Sequence, residues 1–245
     1  MTTKPPRTPW GNFPDVLIHA SESAVKQHLA YKAAKSGDAD AASDLIFDTF
    51  NRDKTLQLEK LVGDRKPTLV SAHAFEREGV NAIPEVFADQ LGKVLGWPVD
   101  SSVVQVNVVA HTGANGFWRL AMQAEFEGTV VPGRDYVLVD DFVGMGGTLA
   151  NLKGHIESNG GKVLAAVSLT GKPYSSKLAP LPERLQELRV KHGTELENWW
   201  IAHFAHGFDA LTESEARYLA RTETVDTIRD RIVEAEQAGN RPALP

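Results

Sequence analysis

Apolar, β-branched stretches of strand length punctuate the middle of the chain, at residues 68–73, 103–109, 137–139 and 162–170. The runs at 137–139 and 162–170 read as strands buried on both faces, the habit of parallel sheets, and those at 68–73 and 103–109, where polar residues interrupt or alternate, as core strands beside them. Helical spacing follows two of them. Ile83, Val86, Phe87, Leu91, Val94 and Leu95 recur every few positions after the first run, and Leu149, Leu152 and Ile156 do so after the third. Strand, short loop, helix, strand is the order of a parallel doubly wound α/β sheet flanked by helices.

The flanks read differently. Residues 1–20 carry Pro5, Pro6, Pro9 and Pro14 and predict an irregular arm. A short helix is expected over 21–35, ended by Ser36-Gly37, and a longer one over 40–62, where Leu45, Ile46, Phe50, Leu58, Leu61 and Val62 make an apolar stripe. From 176 onward the pattern is again helical: Leu181, Leu185 and Leu188, then Leu196, Trp199, Trp200, Phe204 and Phe208, and finally Val225, Ile228 and Ile232. Thr212-Glu-Ser-Glu reads as a helix start. The expected organisation is an N-terminal arm and helical extension at 1–66, a core at 67–175, and a C-terminal helical extension at 176–245.

Composition narrows the classes without choosing one. Apolar residues at 42% and charged residues at 24% are those of a soluble globular protein. A net charge of −6 argues against a broad nucleic-acid surface. No apolar run reaches the length of a membrane span, and the proline-rich start lacks the apolar segment of a secretory signal. The absence of cysteine excludes disulfides and thiol catalysis, and the cytoplasm is the default compartment.

Chemistry concentrates in 136–156. There the apolar run Val137–Val139 ends in Asp140 and Asp141, followed by the turn Gly144-Met-Gly-Gly-Thr148 and the helix of Leu149, Leu152 and Ile156. Two carboxylates cannot stay in a core unpaired. Glycines let successive N–H groups turn toward an anion, and the helix start adds unpaired N–H groups and partial positive charge. A phosphate suits Gly144, Met145, Gly146, Gly147 and Thr148. The aspartates would repel that phosphate, so they suit sugar hydroxyls or a metal ion. The ligand inferred is a phosphorylated sugar.

Val137-Leu-Val-Asp-Asp-Phe-Val-Gly-Met-Gly-Gly-Thr148 resembles the phosphoribosyl-pyrophosphate (PRPP) signature of type I phosphoribosyltransferases. The resemblance spans roughly 68–170. It departs at Met145, where the family usually places a threonine whose hydroxyl reaches the 5′-phosphate, and at Gly144, where some members carry an acid serving the incoming base. It implies transfer of a phosphoribosyl group from PRPP to a nitrogenous small-molecule acceptor, with Mg²⁺ as cofactor. It also implies roles. Asp140 and Asp141 would take the ribose hydroxyls and, indirectly, the Mg²⁺. The loop after the first strand, with Ala74, Phe75, Glu76 and Arg77, would take the pyrophosphate. Arg119 and His111 fall in the interval of the family's mobile catalytic loop, and Arg119 is the catalytic candidate there.

Other readings of the stretch fare worse. A P-loop needs Gly-Lys-Ser/Thr, and Gly161-Lys162 and Gly171-Lys172 are followed by valine and proline. A dinucleotide fingerprint needs a third glycine where Leu149 stands. The plain alternative is a structural strand–turn–helix link. His203 and His206 sit at a spacing that invites a metal, but no third ligand accompanies them at a recognised spacing. Beside the transferase stands a reading of another class, a regulatory module that binds PRPP or a nucleotide without reaction. A hydrolase of a ribosyl phosphate is a third. Partners are expected to be small molecules, with neither nucleic acid nor membrane, and a homodimer is compatible.

Overall fold

The computed structural model describes residues 4–72, 75–76, 79–107 and 115–239. At its centre β1 (Leu17–Ile18), β9 (Lys162–Gly171), β8 (Asp135–Val143), β2 (Thr68–Ser71) and β5 (Val99–Asp100) lie side by side in that order, all parallel. From β2 the chain crosses through α5 (Ile83–Leu95) to β5 on one side; from β8 it crosses through α7 (Gly147–Ser158) to β9 on the other. The direction of winding therefore reverses between β2 and β8, and the crevice outside the carboxyl ends of those strands is where such sheets take ligands.

Alternation along the strands builds two cores. Leu69, Val137, Val139 and Val167 pack with Phe87 and Leu91 of α5. Val70, Leu138 and Ala166 pack on the other face with Leu149, Leu152 and Ile156 of α7. Val137, Leu138 and Val139 are fully buried, each worth roughly 1.5–3 kcal/mol against exposure. The expected parallel sheet with helices on both faces and helical additions at either end is what the chain forms.

Several boundaries move. The described part of the expected strand at 103–109, residues 103–107, does not join the central sheet. Val99–Asp100 takes the edge beside β2, while β6 (Val104–Gln105) pairs antiparallel with β7 (Phe126–Glu127) outside it. An apolar run does not by itself distinguish a core strand from a short hairpin. The helix expected over 40–62 is two, α3 (Ala39–Thr49) and α4 (Arg52–Val62), because Phe50 is extended and the Asn51 side chain caps the second by accepting from the Lys54 N–H at 3.1 Å. The one over 21–35 likewise splits into α1 (Glu22–Lys26) and α2 (Tyr31–Lys35). Part of the arm is regular, since Leu17–Ile18 is the outer strand on β9.

The C-terminal helices build a core of their own. α6 (Gly116–Ala121), α8 (Pro182–Phe204), α9 (Glu213–Arg221) and α10 (Val225–Gly239) enclose Leu120, Trp200, Phe204, Phe208, Leu219 and Ile228. The expected start of α9 is a full capping box between Thr212 and Glu215. The arm runs along α7: a Cβ on Gly154 would lie 1.9 Å from the Pro6 carbonyl oxygen, so only glycine admits that crossing. Among the described residues, no helix is long and apolar enough to cross a membrane.

Candidate functional site

Asp140 and Asp141 lie inside β8 rather than after it, because pairing with β9 continues through Phe142–Thr170 and Val143–Gly171. They occupy its C-terminal part, at the switch point. Asp140 is buried and its Oδ1 accepts the Asp141 N–H at 2.8 Å. Burial, reinforced by the neighbouring Asp141 charge, raises the Asp140 pKa well above the carboxylate range. Burial pushes Asp141 upward too, but the Lys35 charge and hydrogen bonds from Lys35 and Asn81 outweigh it and hold its pKa below the usual value. Lys35 Nζ and Asn81 Nδ2 each donate to Asp141 Oδ2 at 3.1 Å. The pair thus titrates in two separated steps, Asp141 first.

The glycine turn is built as expected at its start and differently further on. Gly146 opens α7 in the left-handed region (φ 83°), and no side chain caps the helix. Gly147 and Thr148 are the first residues of α7, so its unpaired first-turn N–H groups follow the acid pair closely along the chain. Yet a Cβ on Gly146 would meet Leu178 Cδ2 at 2.5 Å, and one on Gly147 would meet Glu215 Oε1 at 3.0 Å. The chain's own packing already explains glycine at both positions, without a ligand. Glu215 there is paired with Arg7, whose Nη1 and Nη2 donate to its carboxylate at 2.7 and 3.1 Å, both side chains being about 1% exposed. Arg7 Nε also donates to Asn151 Oδ1 of α7 at 2.5 Å. Met145 packs against the C-terminal helical core, and its carbonyl accepts from Thr212 Oγ1 at 2.6 Å.

Beside this turn opens a cleft of about 790 Å³, within the size range of small-molecule sites. Phe142, Gly144 and Met145 form its floor, and Arg119 reaches it from α6 with Nη1 3.4 Å from where a Gly144 Cβ would stand. Lys26 from α1, Lys172 after β9, and Arg217 and Arg221 from α9 complete its charge, against the acid Glu22. Glu22 accepts from Lys26 at 2.6 Å and pairs with Lys172. The Lys172 and Lys26 hydrogen bonds, foremost, keep the Glu22 pKa low. Lys26 Nζ stands 4.3 Å from the centre of the Phe142 ring, and the Arg217 guanidinium 5.1 Å from that of Tyr174.

The fold thus brings Asp140, Asp141, Gly144, Met145, Gly146, Gly147, Thr148 and Arg119 to one sheet edge. Phe75–Glu76 forms β3, paired antiparallel with Gly79–Val80 as β4 between β2 and α5. Ala74, Arg77 and His111 lie outside the described residues. Sequence reasoning assigned nothing to Lys35, Asn81, Lys26, Lys172, Arg217 or Arg221. Asn81 stands in the stretch following the predicted loop, and Lys172 directly follows the last predicted core strand. Among the described residues no group of three or more candidate metal ligands gathers around His203 or His206. His203 stacks on Trp199 with ring centres 4.6 Å apart. His206 is buried, and burial followed by the Arg7 charge lowers its pKa to about 3.

No family model matches the chain. A protein of Escherichia coli named TraN is 43% identical over 236 residues, which are 96% of this chain and 53% of that protein. A Haemophilus influenzae protein described as uncharacterized is 38% identical over 151 residues, 61% of this chain and 34% of that protein. The chain spans about half the length of the first relative, and its match covers about a third of the second. Among solved structures, adenine phosphoribosyltransferase from Leishmania donovani aligns with TM-score 0.36 and 14% identity, over 79% of this chain and 71% of that one. The Saccharomyces cerevisiae adenine phosphoribosyltransferase aligns with TM-score 0.34 and 16% identity, over 61% and 73%. At such scores the fold assignment rests on the sheet's own topology.

Proposed function

We propose that the chain binds PRPP at the carboxyl ends of β2 and β8 and transfers its phosphoribosyl group to a nitrogenous acceptor. The observation that carries this reading is the Asp140–Asp141 pair at the switch point, adjoining both an uncapped helix start and a cationic cleft. Asp141, held by hydrogen bonds from Lys35 and Asn81 that favour its charged form, accepts from a ribose hydroxyl, with Asp140 beside it. The first turn of α7 takes the 5′-phosphate through backbone N–H groups. In transfer, the acceptor nitrogen's lone pair forms the new bond to C1. The C1–O bond breaks with its electron pair to the pyrophosphate, and any proton on the nitrogen passes to water. The site contributes alignment and fixed charge at the separating groups.

Mg²⁺ fits these residues as a cation carried on the pyrophosphate. Asp140 and Asp141 are two acids without a third ligand among the described residues, and Mg²⁺ characteristically combines one or two carboxylates with substrate phosphates and water. It would neutralise pyrophosphate charge.

A second reading has its own observation. Thr212 bonds the Met145 carbonyl, and the Arg7–Glu215 pair abuts Gly147, so both terminal extensions touch the loop that would sense a phosphate. A binding module that reports PRPP through those extensions uses the same contacts. Melting the protein with PRPP and Mg²⁺ tests what the two readings share: at a hundred times Kd the ligand adds about 2.7 kcal/mol. No shift at millimolar PRPP overturns both. Pyrophosphate release over a panel of bases then separates transfer from sensing.

A further inference from the structure

A lysine from outside the sheet reaches the acid pair. Lys35 ends α2, a helix of the N-terminal extension, and its Nζ donates to Asp141 Oδ2 at 3.1 Å from 106 positions away in sequence. Asn81 Nδ2 donates to the same oxygen at 3.1 Å. The Asn81 side chain is oriented for this, because its Oδ1 accepts the Ile83 N–H at 3.2 Å where α5 begins. Backbone contacts seat α2 on that same stretch. The carbonyl of the buried Ala34 accepts the Ala82 N–H at 3.1 Å. Gly37, at φ 104°, passes the Val80 carbonyl so closely that a Cβ would lie 3.0 Å from its oxygen. Lys35 is therefore delivered by a docked helix, and its side chain is 21% exposed against 13% for Asp141.

We propose that Lys35 is a positioning residue whose tethered cation reserves the acid pair for the hydroxyls of an anionic sugar phosphate and turns away free divalent cations. The proposal rests on the PRPP reading of the acid pair and adds the residue that decides which ligand charge the pair accepts. Adjacent carboxylates with no cation beside them attract a divalent ion and repel a phosphate. PRPP carries phosphates at both ends of its ribose, whereas the hydroxyls that Asp141 takes are neutral. An ammonium 3.1 Å from Asp141 Oδ2 offsets the carboxylate's charge and lowers that repulsion. Lysine suits the task as a compact charge on a long stem. Lys35 and Asn81 together occupy Oδ2, which leaves little of Asp141 for a small metal that demands near-octahedral oxygens. The pair is then suited to a metal that arrives with substrate phosphates and unsuited to one that arrives alone.

Calorimetry with two probes, Mn²⁺ alone and PRPP with Mg²⁺, tests this. Lys35→Met should bind PRPP–Mg²⁺ roughly tenfold more weakly than the wild type and Mn²⁺ alone several-fold more tightly. A general loosening of the fold weakens both, so the opposite signs belong to the charge. Lys35→Arg keeps the cation and should stay close to the wild type with both probes. Gly37→Val lies outside the site and forces α2 off the Val80 carbonyl; it should move both affinities in the directions of Lys35→Met, which keeps the proposal testable if that variant folds poorly. Both affinities falling together in Lys35→Met, or an unchanged PRPP affinity, overturns the role given to Lys35. A wild-type chain whose melting temperature PRPP leaves unmoved overturns the PRPP reading instead, and the Mn²⁺ comparison is made without PRPP.

Discussion

Single residues decide how the acid pair works. Asp140 is held in burial beside a second carboxylate, and its raised pKa means that its ionisation opposes folding. Asp140→Asn keeps an oxygen to accept the Asp141 N–H and removes the charge. We expect the variant to be more stable at pH 7 by roughly 1 kcal/mol and to lose PRPP stabilisation, both read from melting curves with and without ligand. A less stable variant would show that the carboxylate is compensated in the fold. Met145 bears on the family comparison in another way. Its side chain belongs to the C-terminal helical core, so Met145→Thr removes packing before it offers a hydroxyl. The expected loss is about 1 kcal/mol of a partly buried side chain, visible as a lower urea midpoint. An unchanged midpoint would mean that the methionine is dispensable there, and that the missing hydroxyl is the more informative feature.

At the scale of elements, α7 joins the arm, the sheet and the C-terminal helices. Arg7 reaches Asn151 on its side and Glu215 at its start, and Lys153 Nζ donates to Thr8 Oγ1 at 2.8 Å and the Pro9 carbonyl at 2.9 Å. Glu215→Ala leaves the buried Arg7 guanidinium without its carboxylate. Such a break costs roughly 3–5 kcal/mol, whereas replacing both partners by apolar residues of similar volume is often near neutral. Chemical denaturation of Glu215→Ala and of Arg7→Met/Glu215→Leu should therefore differ widely, with the single variant the weaker. Equal midpoints would show that water enters and solvates Arg7. The cap at Thr212 was legible because capping is local chemistry. The division of 40–62 into two helices turned on Asn51, whose cap competes with an apolar stripe that continues across it.

Over the whole molecule, His19 and His206 carry the largest pKa lowering among the described histidines, with His192 and His155 shifted in the same sense. Burial, then the Lys54 charge, lowers the His19 pKa to about 4; burial, then Arg7, lowers that of His206 to about 3. In the unfolded chain both titrate near 6.5. From about 6.5 down toward these folded values the unfolded chain binds more protons, so stability present above 6.5 is lost as pH falls. Each ring contributes roughly 1.4 kcal/mol per pH unit in that window. Asp140, with its pKa raised, acts in the opposite sense and offsets part of this. The melting temperature should fall between pH 7 and pH 4.5, and less steeply in His206→Leu; a profile equally steep in that variant would remove His206 from the account. The sequence by itself determined the parallel doubly wound core, the acid pair following the apolar run of a core strand, and the glycine turn opening a helix, because each is written in contiguous residues whose period and backbone freedom admit few alternatives. Only the tertiary structure decided that Lys35 and Asn81 hold Asp141 and that Arg7 and Glu215 meet at Gly147. It alone gathered Lys26, Lys172 and Arg217 from distant segments into one cleft. Those contacts depend on which helix faces pack together, and no local pattern in the chain encodes the distance between residues far apart along it.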